Sequence, residues 1–235
     1  INTMNLSCLL CYQASPAPVC QWCESDLFFF NADIHGNNLL EFGPVGRHVT
    51  HRHYHSLSIL SLHTWPMSSL IHQFKFKHSL AAGKMLNKWF VDKKQHCTLS
   101  VPDLLLPVPI SAWRLAKRHY NQAGVMAEFI GKDLGIPCLH QWAIRTGASS
   151  QHQLSKSQRK KNAEHAFALT PHALNDVVAQ KSDEFVVAIV DDVVTTGVTV
   201  DRLSRLLVER FPKVTIQVWA MTFTPPPKST LLCQY

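Results

Sequence analysis

The sequence VVAIVDDVVTTGVTV, residues 186–200, decides the fold. The apolar run FVVAIV at 185–190 is continuous, which is typical of a strand buried on both faces of a parallel sheet. Two acids, two valines and the turn Thr-Thr-Gly-Val-Thr follow, and DRLSRLLVERF at 201–211 then has the periodicity of an amphipathic helix. This order predicts an α/β domain whose ligand site lies at the carboxyl end of the strand.

The turn after this strand has the composition of a phosphate site. Thr195, Thr196 and Thr199 offer hydroxyl donors, and Gly197 lets the backbone approach an anion closely. Backbone N–H groups at the start of the next helix point toward such an anion, and the helix dipole favours its charge. The order differs from that of a P-loop. The predicted phosphate site consists of Val194, Thr195, Thr196, Gly197, Val198 and Thr199.

The two acids before the turn, Asp191 and Asp192, need a partner other than the phosphate, because carboxylates and phosphate repel each other. Ribose hydroxyls suit them, since a carboxylate is a strong acceptor. The segment therefore predicts a site for a ribose 5-phosphate. This interpretation requires acids that are not buried in an ion pair and a turn that is open to solvent. The alternative is a strand-to-helix turn without a ligand.

The rest of the chain alternates helices and strands in the manner of a parallel α/β domain. Periodicity predicts helices within 67–90 and at 121–134, and strands within 100–110 and at 214–221. The polar, basic stretch at 145–166 is predicted to be a mobile loop leading into a helix. The predicted parts are a cysteine module at 1–30, an irregular connecting region with short strands at 31–66, the α/β domain at 67–222, and a loose tail at 223–235.

Four of the seven cysteines form two C-x-x-C pairs near the start of the chain. Four thiolates in this spacing can close a tetrahedral structural zinc site, which leaves no open position for catalysis. The alternative is a set of buried or disulfide-bonded cysteines. The predicted zinc ligands are Cys8, Cys11, Cys20 and Cys23.

A second cluster of metal-binding residue types lies in RHVTHRHYH, residues 47–55. His48, His51, His53 and His55 are close together, but no cysteine accompanies them. The pattern leaves open whether they bind a metal or form a polar loop.

Composition and charge limit the classes of partner. The 235 residues carry a formal net charge of +7, which favours phosphate-bearing partners. No apolar run reaches the roughly 18 residues that a membrane span needs, and no secretory signal is evident at the start. We therefore expect a cytoplasmic protein that does not span a membrane.

The strand, paired acids and Thr-Thr-Gly-x-Thr turn resemble the motif by which type I phosphoribosyltransferases bind phosphoribosyl pyrophosphate (PRPP). With the cysteine module before it, the chain resembles the ComF/GntX family of competence-related proteins. LLLPVPISAWRLAKRHYNQA at 104–123 and IHQFKFK at 71–77 are similar to further family segments. The resemblance implies that Asp191 and Asp192 hold the ribose hydroxyls, that Thr195 to Thr199 hold the 5′-phosphate, and that Mg²⁺ accompanies PRPP.

The pyrophosphate end of PRPP needs cations, because this group carries several negative charges. Where the family has Gly in Arg-Gly-Phe-Asn-Gln, this chain has His119. If that glycine serves a positive φ, His119 must tolerate strain. The candidate pyrophosphate ligands are Lys75, Arg114, Lys117, Arg118 and Arg145.

Three functions remain open from the sequence. The resemblance implies a PRPP-binding, phosphoribosyltransferase-like protein of competence and DNA uptake, with single-stranded DNA and DNA-uptake proteins as partners. Trp113, Tyr120 and Trp142 lie near basic residues and could stack on bases, or could belong to the core. The other two functions are an active phosphoribosyltransferase, whose acceptor the sequence does not identify, and a PRPP-sensing regulator.

Overall fold

A computed structural model describes residues 6–146, 166–175, 178 and 185–227. Its centre is a parallel sheet of four strands in the order β3-β8-β7-β4. These strands are β3 (Ser56–Leu62), β4 (Leu104–Pro107), β7 (Phe185–Val194) and β8 (Val214–Phe223). Two antiparallel ribbons accompany the sheet, β1 (Leu6–Ser7) with β2 (Ala14–Ser15), and β5 (Ala143–Arg145) with β6 (Phe167–Leu169).

Eight helices lie within the described residues. Three short ones precede β3, namely α1 (Gln21–Ser25), α2 (Ala32–His35) and α3 (Gly43–Gly46). The others are α4 (Met67–Phe76), α5 (Leu80–Gln95), α6 (Ala112–Arg118), α7 (Gln122–Leu134) and α8 (Val198–Arg210). None of these helices is long and apolar enough to cross a membrane.

Apolar side chains cover both faces of the sheet, as the continuous strand FVVAIV predicts. On one face Ala188 and Val190 pack with side chains of α4, α5 and α7 such as Phe90. On the other face Val187 and Ile189 pack with the buried leucines of α8. The predicted α/β class, a parallel sheet flanked by helices, is confirmed.

The segment predicted as helical at 67–90 forms two helices. Ser79 begins α5, and its side chain accepts a hydrogen bond from the backbone N–H of Ala82. His78, just before it, has φ +52°, which is incompatible with a continuous helix. The chain therefore turns between α4 and α5.

Part of the predicted connecting region joins the sheet. All seven residues of β3 are buried, and β3 pairs in parallel with β8 along Ser56 to Leu62. The sheet thus begins before residue 67. Short strands were predicted within 31–66, but the place of one of them at the edge of the main sheet was not, because its serines weaken the apolar signal. The predicted loop at 145–166 lies almost entirely outside the described residues, which stop at 146 and resume at 166.

The cysteine module packs against the first two long helices. The side-chain amide of Gln73 on α4 donates a hydrogen bond to the carbonyl of Leu9 at 2.7 Å. The indole of Trp89 on α5 donates one to the carboxylate of Glu24, also at 2.7 Å. These bonds attach the module to the side of the domain that carries Lys75.

Candidate functional site

The predicted phosphate loop lies at the carboxyl end of β7. This strand extends through both acids to the buried Val194. Thr195 and Thr196 are exposed, and Val198 and Thr199 begin α8 as half-buried residues. A small cavity opens along the turn, lined by Asp191 and the residues from Val193 to Val200. The turn is thus open to solvent, and its backbone faces the start of a thirteen-residue helix.

Gly197 is required by its surroundings as well as by its backbone. Its φ is +70°, and an added Cβ would lie 2.8 Å from the carbonyl oxygen of Thr50 and 3.2 Å from the Tyr54 hydroxyl. The backbone N–H of Thr50 also donates to the carbonyl of Thr196 at 2.8 Å. The segment 50–54 therefore supports the phosphate loop from behind, at a distance that no side chain at 197 could tolerate.

The histidine-rich segment is held by Asp201, in the first turn of α8. One oxygen of this buried carboxylate accepts from the backbone N–H groups of Arg52 and His53, at 2.6 and 3.0 Å. The other lies 3.1 Å from Nδ1 of His53. Nδ1 of His55 instead accepts from the N–H of Ile216. These histidines have different partners, and the four cysteines form the one potential metal-binding group found within the described residues.

The two acids differ in their surroundings. Oδ1 of Asp191 accepts from the N–H of Asp192 at 2.9 Å. Burial and the neighbouring charge of Asp192 raise the pKa of Asp191 to about 8. Oδ2 of Asp192 lies 3.0 Å from Nζ of Lys75, and the two side chains are 14% and 15% exposed. Asp192 is thus mostly buried in an ion pair, so the requirement that neither acid be buried in an ion pair is not met. Asp191 and Asp192 nevertheless both line an open cavity, from which a ribose hydroxyl could still reach their carboxylates.

This cavity, which we call the sugar-phosphate cavity, has a volume of about 260 Å³. Its lining includes Thr195, Thr199 and both acids. It also includes four of the five cations that the sequence proposes as pyrophosphate ligands. These are Lys75, Arg114, Arg118 and Arg145. Hydroxyl donors, carboxylates and cations in one lining match the groups that a ribose with a phosphate at each end requires.

The fifth proposed cation does not line the cavity. Nζ of Lys117 lies 5.4 Å from the ring centroid of Trp113, on the exposed side of α6. Arg114 and Arg118, four residues apart on α6, both line the cavity, whereas Lys117 lies beside Trp113, four residues before it.

The loop between α6 and α7 confirms the expected strain. His119 ends α6 in the left-handed conformation, with φ +63°. Asn121 then begins α7, and its side chain donates to the carbonyl of Val108 at 3.0 Å. A residue with a Cβ pays about 1–2 kcal/mol in this region, so the glycine of the family pattern has a physical reason.

Sequence reasoning missed Gln122 as a member of the site. Its side chain is only 2% exposed, and its Oε1 accepts from Nη1 of Arg118 at 3.1 Å. Gln122 lines the sugar-phosphate cavity. Within the described residues its buried amide nitrogen makes no hydrogen bond of good geometry, although its side chain interacts with that of Tyr120. The sequence signal that could have identified Gln122 is its position after Asn121, where the family pattern also has Asn-Gln.

The four cysteines of the module converge as predicted. Their Sγ atoms all lie within 4.8 Å of one another, and none of them forms a disulfide. Sγ of Cys11 and Cys20 are 3.7 Å apart. The edge of a tetrahedron with metal–sulfur bonds of about 2.3 Å is roughly 3.8 Å. The cluster could therefore hold a metal ion.

Comparison with known proteins assigns the chain to a family. It is 30% identical over 217 residues to competence protein F of Haemophilus influenzae, covering 89% of this chain and 86% of that protein. The chain belongs to the ComF family. DNA utilization protein YhgH of Salmonella typhimurium, another relative, is 32% identical over 170 residues and 70% of each chain. Competence protein ComFC of Bacillus subtilis is 24% identical over 147 residues, 61% of this chain and 54% of that protein.

Other comparisons give weaker similarities for this ComF-family chain. No family model matches it. Adenine phosphoribosyltransferase of Leishmania tarentolae superposes with a TM-score of 0.37 and 12% identity, covering 64% of this chain and 74% of that enzyme. For adenine phosphoribosyl transferase of Trypanosoma brucei the TM-score is 0.39 and the identity 10%, covering 67% and 71%.

Proposed function

We propose that this protein binds PRPP in the sugar-phosphate cavity and acts in competence-associated DNA uptake. One observation carries the proposal. A threonine-lined turn, two adjacent carboxylates and four cations border a single cavity. Separate phosphate or sugar sites would not need all three groups within one space of about 260 Å³.

Each part of the cavity has a role in this proposal. The residues Val194 to Thr199 hold the 5′-phosphate with hydroxyls and the backbone at the start of α8. Asp191 and Asp192 accept hydrogen bonds from the 2′ and 3′ hydroxyls. Lys75 and the arginines neutralise the pyrophosphate, and Gln122 donates to one of its oxygens. The ion pair between Lys75 and Asp192 supports adjacent positions for the proposed sugar and pyrophosphate sites.

Two metals complete the proposal. Mg²⁺ would bind PRPP oxygens and water, neutralising charge on the pyrophosphate. Zn²⁺ would occupy the cysteine cluster, because four thiolates in a closed set are typical of structural zinc. Metal analysis of protein purified without chelators is expected to give about one zinc per chain, and a folded, metal-free protein would contradict the zinc assignment.

The cellular role comes from the relatives, whose names refer to competence and DNA utilization. We place the protein in the cytoplasm, where reduced thiols remain available to a metal. DNA-uptake proteins are the partners that this role implies.

Single-stranded DNA is a further proposed partner, favoured by one exposed aromatic residue. Trp113 is 65% exposed and lies beside Lys117, as a stacking platform next to a backbone cation would. Trp142 is fully buried and Tyr120 donates to the carbonyl of Phe74, so neither fits this role. Binding of oligothymidylate should weaken with salt and with Trp113→Ala. Lack of binding at low salt would remove DNA from the proposal.

Calorimetry with PRPP and Mg²⁺ tests the main proposal. At pH 9, above the pKa of Asp191, Asp191→Ala and Asp192→Ala should each lower the affinity by about tenfold or more, since each removes a charge-assisted hydrogen bond. Asp92→Ala is the control, because Asp92 is an exposed acid paired with Lys88 on α5. If both cavity variants bind PRPP as well as the wild type, the proposed pocket is wrong. Pyrophosphate release in the presence of candidate acceptors would show transferase activity.

A further inference from the structure

A buried carboxylate holds the segment that supports the phosphate loop from behind. Asp201 is only 7% exposed and lies in the first turn of α8, four residues after Gly197. Its two oxygens make three contacts, with the backbone N–H groups of Arg52 and His53 and with Nδ1 of His53. A carboxylate at this depth is unfavourable unless such contacts compensate its burial. It does not line the sugar-phosphate cavity, so its contacts with the segment 52–53 are what it contributes to this region.

The same segment reaches the phosphate loop through Thr50. The backbone N–H of Thr50 donates to the carbonyl of Thr196 at 2.8 Å. The small cavity along the turn is lined mainly by residues 193–200, so Thr50 contacts the loop from outside this cavity. In a trans peptide the C=O and N–H groups point in opposite directions. Because the carbonyl of Thr196 is fixed toward Thr50, the N–H of Gly197 in the same peptide points away from Thr50.

We propose that Asp201 is a positioning residue of the 5′-phosphate site. It holds the segment 52–53 in place, which keeps the N–H of Thr50 on the carbonyl of Thr196 and turns the N–H of Gly197 toward the ligand. The proposal rests on the proposed function, since it concerns the loop that would bind the 5′-phosphate of PRPP. Asp201 itself makes no contact with the ligand in this proposal.

The direction of the peptide between Thr196 and Gly197 decides whether it attracts or repels an anion. With its carbonyl turned toward Thr50, the peptide adds a donor to the N–H groups at the start of α8. In the opposite orientation, the carbonyl oxygen would face the phosphate and repel it. Glycine restricts the rotation of its own peptide less than other residues do, so the orientation depends on the hydrogen bond from Thr50.

Two variants of Asp201 test the proposal in the full chain, by calorimetry with ribose 5-phosphate. Asp201→Asn keeps one acceptor oxygen for the N–H groups of Arg52 and His53 but removes the charge, and should lower the affinity about threefold. Asp201→Leu has a similar size but no acceptor, leaves both N–H groups unpaired, and should lower the affinity about tenfold or more. Hydrogen exchange of the Thr50 amide, measured by NMR without ligand, should become faster in the same order.

Asp103→Asn is the matched control. Asp103 also accepts from a backbone N–H group, that of Val186 at 2.9 Å, but at the opposite end of β7 from the phosphate loop. This variant should leave the affinity within about twofold of wild type and the exchange of the Thr50 amide unchanged, even where it lowers the urea midpoint as much as Asp201→Asn. If Asp201→Leu does not fold, the comparison of the two asparagine variants decides.

Three results would overturn the positioning role. The first is equal binding of ribose 5-phosphate by the wild type and the Asp201 variants, and the second is a loss of affinity without faster exchange of the Thr50 amide. The third is an equal loss of affinity in Asp103→Asn. In each of these cases the wild type still binds ribose 5-phosphate and the proposed function stands. Lack of binding by the wild type itself would contradict both the proposed function and the role of Asp201.

Discussion

Lys75 Nζ and Asp192 Oδ2 lie 3.0 Å apart in the lining of the sugar-phosphate cavity. The lysine comes from α4 and the aspartate from the end of β7, so the pair links a helix outside the sheet to the strand that carries the phosphate loop. A mostly buried ion pair contributes little when it replaces apolar packing, but removal of one partner leaves an uncompensated charge. Replacing one residue of the pair should therefore change both the free energy of unfolding and the charge of the sugar-phosphate cavity.

A double-mutant cycle of Lys75→Met and Asp192→Asn should show this coupling. Each single variant should be less stable than expected from the double variant, with an interaction of about 1–3 kcal/mol. Urea unfolding of the four proteins measures it. The exposed pair Lys88 and Asp92, at 3.4 Å, is the control and should give about 0.5 kcal/mol or less. Equal couplings in the two cycles would mean that the buried pair has no special role.

Binding of ribose 5-phosphate should depend on pH through Asp191. Since the pKa of Asp191 is raised to about 8 by burial and Asp192, against the opposing charges of Lys75 and Arg145, only about a tenth of it is ionised at pH 7. The ionised form is the better acceptor, so affinity should rise about tenfold between pH 7 and 9, where the ligand phosphate is already dianionic. Calorimetry should show a smaller rise for Asp191→Asn.

The same group predicts the opposite trend for stability. A folded pKa above the unfolded value of about 4 favours the protonated form in the folded state. The resulting stabilisation is complete below pH 4 and is lost as the pH rises toward 8. The free energy of unfolding of the wild type minus that of Asp191→Asn, measured with urea, should therefore fall between pH 4 and 8. A difference that does not change with pH would show that the pKa of Asp191 is not raised.

Gly197→Ala should damage the phosphate loop. A methyl group at 197 meets the carbonyl of Thr50 at 2.8 Å, and the residue also has φ +70°. We expect a loss of about 2–3 kcal/mol in stability and at least tenfold in ribose 5-phosphate affinity. Gly135→Ala is the control, since Gly135 has the same φ but nothing within 4 Å of an added Cβ. It should lose only about 1 kcal/mol and no affinity.

His119→Gly should stabilise the protein. The left-handed φ of +63° costs a residue with a Cβ about 1–2 kcal/mol, and the greater freedom of glycine in the unfolded chain offsets part of the gain. Thermal unfolding should show a net gain of about 0.5–1 kcal/mol. His172 has φ +62° and does not line the sugar-phosphate cavity, so His172→Gly should give a similar gain in stability. A loss of stability in His119→Gly would show that the imidazole makes a contact worth more than the strain.

Gln122→Leu should weaken binding without a matching loss of stability. Among the described residues its amide nitrogen makes no hydrogen bond of good geometry, so replacing it removes an unfavourable buried donor, while the contacts with Arg118 and Tyr120 are lost. PRPP affinity should fall about tenfold, with stability within about 1 kcal/mol of wild type. Asn87→Leu is the control, because Asn87 is another buried amide, its Oδ1 has no hydrogen-bond partner among the described residues, and it does not line the sugar-phosphate cavity. It should leave affinity unchanged, and equal losses in both variants would contradict the role of Gln122.

Local sequence patterns were sufficient to predict the central strand of the sheet, the convergence of the four cysteines and the backbone conformation at His119. The run 185–190 predicts a doubly buried strand because its residues are all apolar, and the structure confirms it. The two C-x-x-C pairs converge because each spacing fixes two thiols close together. The αL conformation of His119 follows from the glycine that the family pattern has there.

Contacts between distant segments could not be predicted. Thr50 donates to Thr196, and Asp201 accepts from the backbone of His53, but both contacts join residues far apart in sequence and leave no local signal. The ion pair of Lys75 with Asp192 was missed for the same reason. The place of β3 in the main sheet was not predicted, because serines interrupt its apolar residues, and the sheet still buries all of them.

The attachment of the cysteine module has a practical consequence. Gln73, which donates to the carbonyl of Leu9, precedes Lys75 by two residues on α4. The cysteine module and the ion pair of Lys75 with Asp192 are therefore connected through the same helix. Removing the ion from the proposed zinc site, or oxidising its sulfurs, would loosen the attachment of the module to α4. Samples handled with chelators or without reductant are then expected to differ in ligand affinity before any residue of the pocket is altered.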